Sequence, residues 1–343
     1  MKLLVSAIEP SANLHLKEVV HELNDVEIMG VFDESLGKPI VSPHEFGVMG
    51  LIDVLAKIKK AKSVIKEMVV LAQKVDKVLL IDAPAFNLPL AKAIKEAYPT
   101  KEIIYYILPK VWAWKKKRAL KVMKYTDKQL SIFPFEDQFY PTATYVGNPL
   151  MDEITCFKEK LTDNNTIAYL AGSRKSEIKR LMPILKELRS KLGDKKALLV
   201  IPPHLSEEQI DSLYGDISMF EVSRDTHKAV SEASFAFVCS GTATFETALI
   251  GTPFVLLYKA NALEFKIGRM IVKLPNVGLA NIMFDFAGLE PMHPEFLQND
   301  LIVEDILDAY RSMDREKFFE KSLALRTMLG SGTNKKVAKI ISN

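Results

Sequence analysis

Cysteine is nearly absent from this sequence. Its 343 residues include two, Cys156 and Cys239, and neither belongs to a CxxC or a Cys/His cluster. That excludes a disulfide framework and a zinc site. An excess of one charge is also missing, with 46 Lys plus Arg against 43 Asp plus Glu and a net charge of +3. A general nucleic-acid binder is therefore not expected, and any basic surface is local. No apolar run reaches the roughly 18 residues of a spanning helix. The opening MKLLVSAIEPSANLH loses its apolar character after Ile8, which is too short for a signal-peptide core. The expectation is a cytoplasmic protein with peripheral membrane contact. There is no Walker A pattern, no GxGxxG after a candidate strand and no Asp-x-Asp anywhere. ATPase and dinucleotide readings fail on the first two counts. The third removes the usual carboxylate clamp for a metal–diphosphate complex.

What is present is a folded, two-part pattern. Hydrophobic residues make up 48% and charged residues 26%, and the length suggests about two domains at roughly 150 residues each. Short Val-, Ile- and Leu-rich runs fall at 2–7, 26–31, 77–81, 102–107 and 129–133, with helical patterns at 52–73 and 88–97. A second series follows Asn148-Pro149, at 166–170, 197–201, 219–222, 234–239 and 253–257, with helices at 177–191 and 242–250. Strands without alternation are buried on both faces, and strand–helix alternation implies a parallel sheet. The expected architecture is α/β, two Rossmann-like doubly wound domains facing across a cleft: 1–148, then 149–305, then a helical tail 306–343 whose packing partner is not specified.

Ligands in such sheets lie beyond the carboxyl ends of the strands. In the second domain, Ala171-Gly172-Ser173-Arg174 follows one strand and Ser240-Gly241-Thr242-Ala243-Thr244 follows another, each opening a helix. Glycine lets backbone approach an anion, a helix start offers N–H groups, and Arg174 forks onto phosphate oxygens. Glu246, one turn on, suits the two hydroxyls of a ribose. The plainer reading is a tight turn and an N-cap; two such loops in one domain favour a nucleotide diphosphate. In the first domain Glu9 and Asp82 follow strands, placed to deprotonate a hydroxyl or to cap a helix. Ser11, Asn13 and Asn87 either position an acceptor or cap. The six histidines show no metal spacing; His204 and His293 are the two to watch.

Two stretches look interfacial. Segment 49–68, MGLIDVLAKIKKAKSVIKEM, interleaves lysines with Leu51, Ile52, Leu55 and Ile58, Lys59 lying beside the stripe. It reads as a basic amphipathic helix for an anionic bilayer, or as an ordinary helix packed on its sheet. Val111-Trp112-Ala113-Trp114 precedes four consecutive cations and suits sugars, bases or lipid head groups.

Taken in order, Ile81-Asp82-Ala83-Pro84 with Phe86-Asn87, Val111-Trp112-Ala113-Trp114, Phe133-Pro134-Phe135-Glu136, Val146-Gly147-Asn148-Pro149, Gly172-Ser173-Arg174 with Glu177, Ser240-Gly241-Thr242-Ala243 with Glu246, Leu274-Pro275-Asn276 and Pro294-Glu295-Phe296-Leu297-Gln298 resemble the lipid-A-disaccharide synthases. These are inverting glycosyltransferases of the two-Rossmann GT-B type. The resemblance spans nearly the whole chain; VWAW with IDAP is specific, whereas SGTA is shared by many GT-B enzymes.

The resemblance implies transfer of diacylglucosamine from a UDP-linked donor to the 6-hydroxyl of an acylated glucosamine 1-phosphate, a β-1,6 link in lipid A and hence lipopolysaccharide synthesis. It implies Asp82 as general base with Glu9 as alternative. It implies a UDP site of Gly172, Ser173, Arg174, Ser240, Gly241, Thr242 and Glu246, and a donor-side loop with Asn276, Asn281, Glu295 and Gln298. Ser11, Asn13, Asn87, Lys110 and Trp112 fall on the acceptor side. It implies no cofactor and no metal, work at the inner face of the inner membrane of a Gram-negative bacterium, and leaves a homodimer open. The chain departs from the family at Ile8-Glu9-Pro10-Ser11-Ala12-Asn13, where Gly-Glu-x-Ser-Gly-Asp is usual, and at Ala85, Leu108 and Lys110. The stretch 277–292 is longer than expected. The rivals are another GT-B enzyme on a UDP-sugar, with a different lipid acceptor or as a 2-epimerase, and a non-catalytic UDP-sugar binder.

Overall fold

The computed structural model describes residues 1–43, 53–261, 265 and 274–343, with the side chains of 53–57 outside that description. The chain divides into two compact units. The first comprises Met1–Asp152 and Leu329–Asn343, the second Glu153–Met328. The division falls a few residues beyond the expected boundary at 148. The helical tail is shared: helix Val303–Ser312 and most of Arg315–Leu329 belong to the second unit, while Thr333–Ser342 returns to the first.

The first unit holds a parallel sheet of β1 (Lys2–Ser6), β2 (Glu27–Val31), β3 (Lys77–Ile81), β4 (Glu102–Tyr106), β5 (Lys128–Ser131) and β6 (Thr144–Tyr145), in the order β2-β1-β3-β4-β5-β6. Val31 adds an isolated parallel bridge to Val41 beyond β2. The central strands are buried on both faces, so KVLLI and EIIYY carry apolar residues without alternation. Their helices are α1 (Pro10–His21), α2 (Asp53–Ala72), α3 (Pro84–Ala97) and α4 (Arg118–Tyr125). In α2, Val64, Met68 and Ala72 recur at helical spacing and join the core with Leu4, Val78 and Leu80.

The second unit repeats the plan with β7 (Thr166–Leu170), β8 (Lys196–Val200), β9 (Glu221–Ser223), β10 (Phe235–Cys239), β11 (Phe254–Tyr258) and β12 (Glu295–Leu297), in the order β12-β11-β10-β7-β8-β9. All pairs are parallel. The chain begins mid-sheet, moves outward through β8 and β9, and returns to the other side of β7. This places a topological switch point between β7 and β10. The equivalent reversal in the first sheet lies between β1 and β3. Helix α5 (Leu150–Glu153) comes where the division falls, and α6 (Lys175–Lys191), α7 (Glu207–Tyr214), α8 (Thr226–Glu232) and α9 (Thr242–Ile250) belong to the second unit. Arg326 fastens the tail helix here: its guanidinium donates to the carbonyls of Leu249 (2.6 Å), Ile250 (2.9 Å) and Lys158 (2.9 Å), closing the end of α9. Among the described residues no helix is long and apolar enough to cross a membrane.

Candidate functional site

Both switch points carry residues the sequence singles out. In the first unit Asp82 and Ala83, directly after β3, adopt left-handed backbone at φ +48° and +41°. Ile107, directly after β4, does so at +61° although it is β-branched. Such conformations cost about 1–3 kcal/mol each and persist where surrounding contacts over-determine them. Those contacts are present. Tyr105 Oη donates to Asp82 O at 2.6 Å, and Asn87 Nδ2 donates to the same oxygen (2.8 Å) and to Ile81 O (3.1 Å). Asn87 is fully buried, and its Oδ1 accepts from Ser6 Oγ at 2.6 Å, which ties the end of β1 to the end of β3.

Burial holds the Asp82 carboxyl above its ordinary value of 3.8, opposed by the charge of Lys110, by the Ala83 N–H and by His15. A carboxylate raised in this way is a better proton acceptor once ionised. Lys110 comes from the loop after β4 and His15 from α1, so three neighbouring strand ends contribute to one locus. Glu9 sits at the N-cap of α1 and is exposed, and its side chain makes no capping bond. Ser11 is exposed on the first turn. Asn13 faces inward: Nδ2 donates to Ala7 O (2.8 Å) and Glu9 O (2.9 Å), and Oδ1 accepts from Asp33 N (2.7 Å). The amide of Asn13 thus bonds backbone alone, and that of Asn87 bonds backbone and the Ser6 hydroxyl; both shape the loops.

Trp112 is also inside, 6% exposed, with its indole N–H donated to Glu136 at 3.2 Å. The exposed ring is Trp114, with Lys115 Nζ 4.2 Å and Arg118 5.0 Å from its centre. Ile58 and Lys59 are exposed on α2, whereas Leu51 and Ile52 and the side chain of Leu55 lie outside the described residues.

In the second unit the loops after β7 and β10 are neighbours. Gly172, at φ +103°, lies so close to Cys239 and Glu177 that an added Cβ would approach Glu177 Oε2 to 2.8 Å and Cys239 Sγ to 2.9 Å. Glu177 reaches back to the start of α6, accepting from Arg174 N (3.2 Å) through Oε2 and from the Arg174 guanidinium (2.7 Å) through Oε1. The Arg174 side chain is otherwise 79% exposed. A buried acid thus orients an exposed cation. Ser173, Gly241 and Thr242 are exposed and Ser240 is half-buried. Ser240 N donates to Leu257 O (2.9 Å), extending the ladder into the loop. Gly241, at φ +154°, caps α9 without a side chain, and nothing lies within 4 Å of where its Cβ would be. Space thus lies open beside the start of α9, and the first N–H groups of a helix can receive an anion. Glu246 is half-buried and 3.6 Å from His227 of α8, whose imidazole it holds above the ordinary value.

The third set is structural in geometry. Glu295 Oε2 accepts from Val277 N (2.7 Å), and Oε1 accepts from Gly278 N (3.0 Å) and Asn281 Nδ2 (2.8 Å). Asn281 is fully buried and also bonds His293 O, Met292 N and His293 N. Asn276 donates to Asp285 at 2.7 Å. Gln298 is left-handed at φ +55°, and with its amide oxygen and nitrogen exchanged it would pair with both backbone groups of Ala260 at 3.0 and 3.1 Å. These four side chains fix the loop 276–278 and the end of β12. His293 is buried, and desolvation lowers it to about 4, so it is neutral; His204 is exposed. Among the described residues no group of three or more His, Cys, Asp or Glu gathers as a metal site.

Sequence reasoning missed His15 and His227. His15 stands four residues after Ser11 on α1, so the helical period would have placed it on the same face. His227, from an unrelated helix, carries no comparable signal.

The family model described as Lipid-A-disaccharide synthetase matches residues 3–330. A lipid-A-disaccharide synthase of Campylobacter jejuni (strain RM1221) is 49% identical over 361 residues, covering 99% of this chain and 98% of that protein. One of Helicobacter pylori (strain P12) is 47% identical over 351 residues, covering 98% and 96%. Among solved structures, UDP-GlcNAc 2-epimerase from Neisseria meningitidis bound to UDP-GlcNAc superposes with a TM-score of 0.62 at 14% identity, covering 100% of each chain. The glycosyltransferase SnogD from Streptomyces nogalater gives 0.60 at 14%, covering 99% of each. At that identity these two speak for the fold alone.

Proposed function

The chain belongs to the lipid-A-disaccharide synthase family, and from that premise we propose how its own residues carry the reaction. It is a hexosyltransferase that joins the diacylglucosamine of a UDP-linked donor to 2,3-diacylglucosamine 1-phosphate and releases UDP. The observation that carries this is the match across nearly the entire chain at close to half identity. A 2-epimerase is not favoured, because the likeness to epimerases is one of fold at 14% identity.

Asp82 accepts the proton of the acceptor's 6-hydroxyl as that oxygen attacks the anomeric carbon. The bond from that carbon to the UDP oxygen breaks, and the configuration inverts. Support comes from the strand-end position of Asp82 and its burial beside Lys110 and His15. Glu9, exposed at the neighbouring strand end, is the alternative base. Lys110 faces the acceptor's phosphate. Arg174, steadied by Glu177, and the open start of α9 at Ser240, Gly241 and Thr242 take the charge of the departing diphosphate. Glu246 accepts the ribose hydroxyls. In this reading no metal and no cofactor takes part. The exposed face of α2 around Ile58 and Lys59, with Leu51, Ile52 and Leu55 before it, meets the membrane surface. Serine at 51, 52 and 55 then weakens sedimentation with anionic vesicles, and unchanged sedimentation removes that assignment.

The central test is UDP release from UDP-2,3-diacylglucosamine, with and without 2,3-diacylglucosamine 1-phosphate, in EDTA. Release is expected only with acceptor and is insensitive to the chelator. Asp82→Asn is expected to lower turnover by about 10²–10⁴ while sparing UDP binding. Turnover within about tenfold of the parent removes Asp82 from the role.

A further inference from the structure

We propose that Glu136 is a positioning residue for the acceptor: its buried carboxylate ties the loop after β4 to the loop after β5 and so holds Lys110 beside Asp82. This rests on the acceptor-side reading given above and deepens it.

Glu136 is 1% exposed and sits in the short turn Pro134–Gln138, after β5. One oxygen, Oε2, accepts from Ile132 N and Phe133 N, both at 3.2 Å; the other, Oε1, accepts from Trp112 Nε1 at 3.2 Å. Ordinary capping of the turn accounts for the Phe133 bond. It does not account for Ile132 or for the indole, which comes from a different strand end. Trp112 packs edge-on against Phe133 and Phe135, with ring centres 6.2 and 5.6 Å away, so its N–H has a single direction. On the other side of the same loop, Tyr140 Oη donates to Pro109 O at 2.7 Å. Lys110 lies between these two anchors, is exposed, and contributes its charge to Asp82. The four-residue span Pro109–Trp112 is pinned at both ends, which fixes the backbone that carries Lys110.

Three donors converge on two oxygens, which a carboxylate satisfies and an amide does not: glutamine would turn an NH2 toward donors. Yet the site is a poor place for charge. Burial raises Glu136 to about 7, against the pull of Trp112, the Phe133 and Ile132 N–H groups and Lys110. Burial and the charge of Glu136 push Tyr140 and Tyr145 upward, so both stay neutral through the physiological range. Because the folded value lies above the ordinary 4.5, the native state binds the proton more tightly. The stability this contributes is full below the ordinary 4.5, is lost as pH rises from there through about 7, and is absent above. Keeping the carboxylate therefore costs stability at the pH where it holds the loops best. A residue retained only for packing would not show that opposition.

The test compares the parent with Glu136→Gln and Trp112→Phe, the latter removing only the indole donor while keeping an aromatic ring. At pH 8 both are expected to lower kcat/KM for the acceptor by about tenfold or more, with the UDP dissociation constant within about twofold of the parent. The double variant is expected to be no worse than the poorer single, because both break one link. Glu136→Gln is further expected to melt no lower than the parent at pH 8 and to lose the parent's decline in melting temperature between pH 5 and 8. Acceptor kcat/KM within about threefold of the parent, or an equal loss of UDP affinity, overturns the proposal. A parent that releases no UDP with acceptor sinks the reading of the reaction. The link is then judged by hydrogen exchange: protection of the Ile132 and Phe133 amides that grows from pH 6 to 8 in the parent and not in Glu136→Gln supports it, and matching profiles overturn it.

Discussion

Two glycines at the second switch point are held for opposite reasons, and replacing each with alanine separates packing from ligand space. At Gly172 the new methyl meets Glu177 at 2.8–2.9 Å and Cys239 at 2.9 Å, and φ is +103°. The backbone conformation costs about 1–3 kcal/mol and the displaced neighbours about 1–3 more, so about 4 in sum. For a unit of this size that lowers its melting temperature by about 12 °C, at about 3 °C per kcal/mol. Arg174 suffers with it, since the displaced Glu177 is its anchor. At Gly241 φ is +154° and the methyl meets no protein atom within 4 Å. Only the backbone term applies, about 1–2 kcal/mol, or about 5 °C. The methyl nonetheless stands where phosphate oxygens would approach the first N–H groups of α9. UDP affinity is expected to fall about 10- to 100-fold, which is about 1.4–2.7 kcal/mol. Differential scanning calorimetry and UDP titration calorimetry read both quantities. If Gly241→Ala binds UDP within about threefold of the parent, the diphosphate does not approach that backbone, and the nucleotide placement falls with it.

Other consequences are open to direct measurement. Because burial raises Asp82, the acid limb of kcat/KM is expected to lie above the ordinary 3.8, with activity lost as pH falls through it and the limb absent in Asp82→Asn; a parent profile flat down to pH 4 contradicts this. Glu246 raises His227, so their pair is fully formed below the ordinary 6.5 and lost as pH rises through the raised value. His227→Gln should therefore lower the melting temperature more at pH 6 than at pH 9, by an amount below about 1 kcal/mol. Arg326→Ala leaves three carbonyls without their donor. It is expected to destabilise by about 2–4 kcal/mol without changing UDP affinity, and Arg326→Lys is expected to recover little, since one ammonium does not replace the fork.

The sheets were largely legible in the sequence because their central strands are buried on both faces. Runs 77–81 and 166–170 coincide with β3 and β7, where neither edge nor solvent blurs the pattern. At the edge of the second sheet the run 219–222 slides to Glu221–Ser223, for Glu221 and Val222 are exposed and the apolar count misleads. Strands β6 and β12 have two and three residues and one partner each, too short for any periodicity. At the site, residue type and strand-end position were enough to single out Asp82, Gly172, Arg174 and Gly241. They did not reveal where an amide would bond. Asn13 and Asn87 read either as acceptor contacts or as caps, and Asn281 entered only through the family resemblance; all three amides are engaged within the protein once the loops close. Trp112 and Trp114 are two residues apart, and only tertiary packing decides that the first is inside.

A division of labour follows that no single residue displays. A buried amide or carboxylate whose donors and acceptors are all engaged has none left for a ligand. Its contribution is to hold the backbone in conformations the backbone resists. Of the six non-glycine residues with left-handed backbone among those described, Asp82, Ala83, Ile107 and Gln298 lie immediately after β3, β4 or β12, while Asp25 and Lys115 do not; at the Asp82 carbonyl the amide of Asn87 and the phenol of Tyr105 hold the conformation. The strand ends also carry a half-buried carboxyl with a raised proton affinity after β3, an exposed lysine after β4, an exposed arginine backed by an acid after β7, and a helix start with space beside Gly241 after β10. After β3, then, the strain and the hydrogen bonds that sustain it fix where the backbone of Asp82, the proposed base, lies.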